Sequence, residues 1–273
     1  MRLGIFAKTF AGTDPSPIFA EVKAAGFATA QYNMACSGLP SMPDEIAPDV
    51  AMAVARAAEA SAVSLCAVSG TYNMAHPDPA HRADGLHRLE TIAAACRVMG
   101  SGLITLCTGT RDPDDQWRGH PDNATPEAWR DMRAEMEKAV GIAERFGLRL
   151  GIEPELANIV SDAAKARRLL DEIGSSALAI VLDPANLFER AEIFEQHRIV
   201  AEAIDLLADR TIMAHAKDRT ASGGFTTAGQ GVLDYPHYIA RLRATGFDGD
   251  LVAHGLAAHE AAAVAAFLGG VVR

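Results

Sequence analysis

The chain has 273 residues, of which 49% are hydrophobic and 22% are charged, a composition typical of a globular protein. Its formal net charge is −10, so it lacks the basic character expected of a protein that binds nucleic acid. No apolar run is long enough to cross a bilayer. Composition therefore argues against nucleic-acid and membrane partners.

The four cysteines are dispersed and form no C-x-x-C motif, which favours reduced thiols rather than a disulfide framework. The sequence opens with MRLGIFAK, which already has the pattern of a strand, so we expect no signal peptide. Both features predict a cytoplasmic protein.

Short apolar runs alternate with longer helical patterns along the whole chain. The predicted strands cover 3–8, 27–33, 62–69, 103–109, 148–153, 178–183, 210–216 and 249–254. The predicted helices cover 16–25, 46–59, 83–99, 126–146, 162–173, 193–207, 235–245 and 258–268. Such runs are typical of parallel strands buried on both faces. Eight strand–helix units predict an α/β fold, a single (β/α)8 TIM barrel spanning residues 1–273 as one domain. An open doubly wound sheet is the alternative, but no G-x-G-x-x-G motif follows the first strand.

Four consecutive predicted strands end on residues that can bind metal or move protons. These are Glu153, Asp183, His215 and His254. In a (β/α)8 barrel the active site lies at the C-terminal ends of the strands, which are about 4.8 Å apart. Singly, each has a plain explanation as a loop carboxylate, a cap or a rim histidine. Together they suit Mn²⁺, Co²⁺, Fe²⁺ or Zn²⁺, and Mg²⁺ less well.

The motifs at these strand ends carry a family resemblance. In chain order they are GIEPE (151–155), VLDPAN (181–186), HAKD (215–218) and GQGVLDY (229–235). This order resembles the xylose-isomerase-like TIM-barrel superfamily of sugar isomerases and epimerases, over essentially the whole chain. The resemblance implies that Glu153, Asp183 and His215 bind a divalent metal. The fourth ligand in the family is usually a glutamate, and His254 stands at that position. Asn186 stands where many relatives have a histidine, and we predict that it contacts the substrate.

The resemblance implies a metal-dependent isomerase or epimerase acting on a small polyhydroxy carbonyl compound through an enediolate-type intermediate. We expect Glu153 to act as the base and His254 as a ligand or as the acid on the opposite face. Lys217 shares a strand face with His215 and is expected to assist electrostatically at a substrate oxygen. A dehydratase of the same superfamily is a close alternative. A barrel that binds a ligand or metal without turnover, or a purely structural scaffold, is another.

The long polar loop 107–123 is expected to form a lid over the site. Within it, Trp117 offers an apolar surface to a sugar, and Arg111 and Arg118 offer contacts to hydroxyl or anionic groups. His76 is predicted to line the pocket. The alternative for each is a contact within the rim of the barrel.

The superfamily also includes apurinic endonucleases with three zinc ions. His76 fits one of their ligand positions, but Thr108 falls near another and Asn186 replaces a third. These departures and the acidic composition argue against DNA repair. Relatives often associate, so the resemblance leaves a homo-oligomer open as a partner.

Overall fold

The computed structural model describes residues 1–273, and its central feature is a closed barrel of eight parallel strands. A short antiparallel hairpin, in which Asp218–Arg219 pairs with Phe225–Thr226, follows the seventh barrel strand. The strands are β1 (Arg2–Phe6), β2 (Thr29–Tyr32), β3 (Ser64–Ser69), β4 (Leu103–Leu106), β5 (Arg149–Ile152), β6 (Leu178–Leu182), β7 (Thr211–Ala216), β8 (Asp218–Arg219), β9 (Phe225–Thr226) and β10 (Asp250–Ala253). The predicted (β/α)8 barrel is therefore confirmed, with β10 as the eighth barrel strand.

Eight α-helices connect and surround the strands. They are α1 (Pro15–Ala24), α2 (Pro48–Ala60), α3 (Pro79–Met99), α4 (Pro126–Phe146), α5 (Ala163–Ile173), α6 (Ile193–Leu207), α7 (Tyr235–Ala244) and α8 (Ala261–Val271). The helix α4 begins at Pro126 because the Thr125 side chain caps it by accepting a hydrogen bond from Ala128 N. The helix α3 begins at Pro79, four residues before the predicted start, because the Asp78 side chain caps it by accepting from Ala80 N.

The hydrophobic core is divided between the strand–helix layer and the barrel interior. The larger cluster contains 68 buried residues. The smaller one fills the barrel with side chains from five of its eight strands, namely Ala67, Leu103, Val181, Met213 and Val252. A packed barrel interior of this kind leaves the strand ends as the place for chemistry. No helix has both the length and the apolar character needed to span a membrane.

Candidate metal centre

Three of the predicted residues meet at the C-terminal ends of adjacent strands. Glu153 follows β5, Asp183 follows β6 and His215 lies near the end of β7. One ligand atom from each lies within 4.8 Å of the others. His215 Nδ1 is 3.4 Å from Glu153 Oε1 and 3.8 Å from Asp183 Oδ2. The parallel barrel thus brings two carboxylates and an imidazole to one point.

These residues fit a divalent metal ion. His215 Nδ1 and Asp183 Oδ2 are both buried without a hydrogen-bond partner, whereas buried polar atoms are normally paired. Both residues belong to the group whose ligand atoms converge with that of Glu153. A nitrogen and carboxylate oxygens form a donor set that suits first-row transition metals. The three side chains, which we call the metal triad, could therefore hold such an ion.

Neighbouring charges shift the pKa values of two residues of the triad. Burial would raise the pKa of Glu153, but the charges of His215 and Lys217 overcome this and lower it. Burial would lower the pKa of His215, but Glu153 and Asp183 together raise it above its usual value. Asn186 Nδ2 also donates a 2.6 Å hydrogen bond to Glu153 Oε1. Glu153 is consequently an oriented, ionised carboxylate.

Lys217 lies beside the triad and is almost fully buried. Its Nζ is 3.3 Å from Asp183 Oδ2 and 3.8 Å from the centroid of the Phe225 ring on β9. Burial would lower the pKa of Lys217, but Asp183 and Glu153 outweigh it and raise the pKa. The side chain therefore carries a positive charge at the edge of the triad.

His254 follows β10 and lies next to the triad without being part of it. Its ring stacks between those of Phe6 and His215, with centroids 5.0 Å and 5.2 Å away. Its Nδ1 is buried without a hydrogen-bond partner. Burial, with a further contribution from His215, lowers the pKa of His254 to about 3. The imidazole is neutral at neutral pH.

Asp218 organises the loop that supports this side of the site. Its carboxylate accepts hydrogen bonds from the backbone N–H groups of Arg219, Gly229, Gly231 and Leu233, at 2.8 to 3.1 Å. A Cβ on Gly231 would lie only 2.2 Å from Arg219 O and 2.3 Å from Asp218 Oδ1. The spacing of HAKD and GQGVLDY therefore reflects a carboxylate that closes a loop, and Asp218 is buried rather than a surface charge.

Replacing Asp218 by Ala is expected to lower the free energy of unfolding by about 2–4 kcal/mol, because buried N–H groups lose a charged acceptor. Asp218→Asn retains one acceptor oxygen but turns an NH2 group toward two of the N–H donors, so it should also lower the free energy of unfolding. Urea unfolding followed by circular dichroism measures both. A loss below about 0.5 kcal/mol for the alanine variant, the size typical of a surface substitution, would contradict this role.

The backbone at the start of the loop 107–123 donates hydrogen bonds to three asparagine side chains, two from outside the loop and one, that of Asn123, from within it. Asn73 Oδ1 accepts from Thr110 N at 2.9 Å, and Asn123 Oδ1 accepts from Arg111 N at 2.7 Å. Asn158 Oδ1 accepts from Gly109 N at 2.5 Å. Residues 109–111 are therefore anchored through their backbone, and a role of the loop as a lid stays a prediction.

The remaining predicted contacts lie in or beside this loop, and none bonds to the metal triad. Arg111 forms an ion pair with Asp131 at 2.7 Å, and Arg118 binds Asp112 with two hydrogen bonds. His76 Nε2 is 3.1 Å from Pro113 O, and its ring stacks on His81. The Trp117 side chain is 53% exposed. A substrate-binding role for His76, Arg111 and Trp117 stays a prediction.

One polar residue near the triad was not singled out from the sequence. Gln31, in β2, is buried, and its Oε1 lies 2.9 Å from His215 Nε2. Its Nε2 donates a 3.1 Å hydrogen bond to Thr105 Oγ1 in β4. The available signal was an amide inside the apolar segment FATAQYN, since buried polar groups need partners.

Comparisons with known proteins agree on this architecture. The family model described as xylose isomerase-like TIM barrel matches residues 19–264. Among solved structures, 3-keto-D-glucoside 4-epimerase from E. coli has a TM-score of 0.78 and 18% identity, covering 99% of both chains. An L-ribulose 3-epimerase has a TM-score of 0.77 and 18% identity, covering 99% of this chain and 94% of the other. The D-psicose 3-epimerase of Clostridium cellulolyticum H10 has a TM-score of 0.76 and 14% identity, covering 100% of both chains. A search of curated protein sequences gives no significant match.

Proposed function

The chain belongs to the xylose isomerase-like TIM barrel family, and from this premise we propose that it is a divalent-metal-dependent isomerase or epimerase. Its substrate is a small polyhydroxy carbonyl compound, a sugar or a related keto compound. The metal is Mn²⁺, Co²⁺, Fe²⁺ or Zn²⁺, held by Glu153, Asp183 and His215. The observation that carries the proposal is the convergence of three ligand atoms within 4.8 Å of one another, of which His215 Nδ1 and Asp183 Oδ2 are buried without a hydrogen-bond partner.

The reaction begins with removal of a proton from the carbon beside the carbonyl group. When bound, the metal supplies Lewis-acid stabilisation of the negative charge that develops on the substrate oxygens. Glu153 is the base, because it is ionised and its orientation is fixed by the hydrogen bond from Asn186. General-base catalysis requires an ionised carboxylate held in a fixed geometry.

A second group must deliver a proton to the opposite face of the substrate carbon if the configuration there is to change. His254 is the nearest candidate, because its ring lies against that of His215 and its Nδ1 has no partner within the protein. His254 would take up a proton from water and give it to the carbon as the imidazolium, a strong acid at this low pKa, while Glu153 keeps the proton that it removed. Both groups would then exchange protons with water before the next turnover. Lys217 adds a positive charge near the substrate oxygens, which favours an enediolate-type intermediate.

The substrate class is supported by the solved structures with the same fold. Their names describe epimerases of a 3-keto-D-glucoside, L-ribulose and D-psicose, all carbonyl-containing sugars. In a 3-keto glucoside and in a 2-ketose, a carbon bonded directly to the carbonyl carbon carries both a hydroxyl group and a hydrogen atom. An acidic carbon–hydrogen bond beside the carbonyl is therefore the feature to test for.

The test is incubation of the protein and Mn²⁺ with a panel of ketoses and 3-keto sugars in D₂O, followed by proton NMR. We expect loss of one α-proton signal and growth of an epimer or isomer containing deuterium. Elimination of water from the substrate would instead identify a dehydratase. A metal-loaded protein that exchanges no α-proton in the panel would contradict the proposal.

A further inference from the structure

A buried series of hydrogen-bonded side chains crosses the barrel interior and ends at a residue of the metal triad. It consists of Thr105 in β4, Gln31 in β2 and His215 in β7. Gln31 and Thr105 are 4% and 3% exposed, and His215 is 1% exposed. The strand β2 is separated from β7 by β1 and β10 in the barrel order, so the Gln31 side chain reaches His215 across the interior.

We infer that Gln31, oriented by Thr105, selects the tautomer of His215 that can bind metal. Gln31 is thus a positioning residue, and the inference rests on the metal centre of the proposed function. In the selected tautomer His215 Nε2 carries the proton and Nδ1 presents its lone pair to the point shared with Glu153 and Asp183.

Which atoms donate and which accept in these hydrogen bonds follows from the two different ends of the Gln31 amide. The Gln31 Nε2 donates to Thr105 Oγ1, which leaves the acceptor oxygen against His215 Nε2. Only a protonated Nε2 can donate to that oxygen, and in a neutral imidazole this leaves Nδ1 free of a proton. With the amide reversed, its N–H would face Nε2 and the imidazole proton would move to Nδ1. A proton there would occupy the lone pair that a metal needs.

An amide group in the interior of the barrel needs hydrogen-bond partners, which apolar packing cannot supply. Burying an amide without hydrogen bonds is unfavourable, and here both ends of the Gln31 amide have hydrogen-bond partners. In metalloproteins, the partner of the second imidazole nitrogen commonly determines which nitrogen is available, and removing it weakens metal binding by about 10–100-fold.

The test compares Gln31→Met, Gln31→Glu and Thr105→Val by metal affinity and by ¹⁵N NMR of the histidine side chains. The affinity for Mn²⁺ or Zn²⁺ is measured by competition with a chelating dye, without any sugar. Met retains the size but not the acceptor, whereas Glu retains the acceptor. Thr29→Val is the matched control for Thr105→Val, because Thr29 is an equally buried barrel threonine whose Oγ1 has no partner.

We expect Gln31→Met to raise the metal Kd by about 10–100-fold, with Gln31→Glu as tight as the unaltered protein or tighter. Thr105→Val should raise the Kd by a smaller factor and Thr29→Val should not change it. Equal loss in Gln31→Met and Gln31→Glu, or none in either, would overturn the inference.

The NMR measurement separates this inference from the proposed function. In the metal-free protein, at a pH high enough for the His215 imidazole to be neutral, its resonance, identified by its disappearance in His215→Asn, should show a protonated Nε2 and an unprotonated Nδ1. Gln31→Met should lose this preference. A proton on Nδ1 in the unaltered protein would overturn the inference even if the protein epimerises sugars. The expected tautomer would support it even if no sugar in the panel reacts.

Discussion

Glu153→Gln is expected to slow deuterium exchange at the substrate α-carbon by about 10³-fold, with the metal site saturated. A glutamine amide can neither accept nor return the proton, and general acid–base catalysis contributes typically about 10²–10⁴-fold. The amide oxygen remains able to accept from Asn186 Nδ2, whose hydrogen bond to Glu153 fixes the orientation of the side chain. The measurement is the rate of loss of the α-proton signal by NMR.

The matched control is Glu137→Gln, the same change at a half-exposed residue of α4 that pairs with Arg133. It should exchange the α-proton at the unaltered rate. A Glu153→Gln variant that binds metal and exchanges within threefold of the unaltered protein would remove Glu153 from the role of base.

The second large effect is expected at His254. His254→Ala should leave the metal Kd within about threefold, because the triad is complete without it, while lowering epimer formation by about 100-fold. The loss should be greater for epimer formation than for exchange of the α-proton, since proton return on the opposite face is the step that His254 serves. Both rates come from the same NMR time course.

His259→Ala is the control for this change, because His259 is an exposed histidine five residues further along the chain. It should alter neither rate. If His254→Ala raises the metal Kd by 100-fold or more, His254 is a metal ligand, as in the four-residue set that the sequence suggested. If epimer formation is unchanged, His254 has no part in proton transfer.

The fold and the metal triad were predictable because they depend on local patterns and one geometric rule. Apolar runs ending on Glu153, Asp183 and His215 identify strand ends without any knowledge of distant contacts. Because the strands of the barrel are parallel, their C-terminal ends then lie together at one end of the barrel. The hairpin β8–β9 escaped prediction because each of its strands has only two residues, too few to show a periodicity.

The residues that support the site were less accessible to sequence reasoning, because their partners are distant or numerous. Gln31 meets His215 across a separation of 184 residues, which no local pattern encodes. The four acceptor contacts of Asp218 depend on a loop closing back over 15 residues. The long Arg111 side chain could reach several groups, and its ion pair with Asp131 became visible only with the packing of α4.

The metal content of the purified protein and of Asp183→Asn, measured by elemental mass spectrometry, tests the metal centre most directly. Asp209→Asn is the control, since Asp209 is an exposed aspartate paired with Arg167. We predict near-stoichiometric Mn, Co, Fe or Zn in the unaltered protein and the control after incubation with these ions, and a loss of most of it in Asp183→Asn. No bound metal in the unaltered protein, or equal metal in all three, would contradict a centre formed by Glu153, Asp183 and His215.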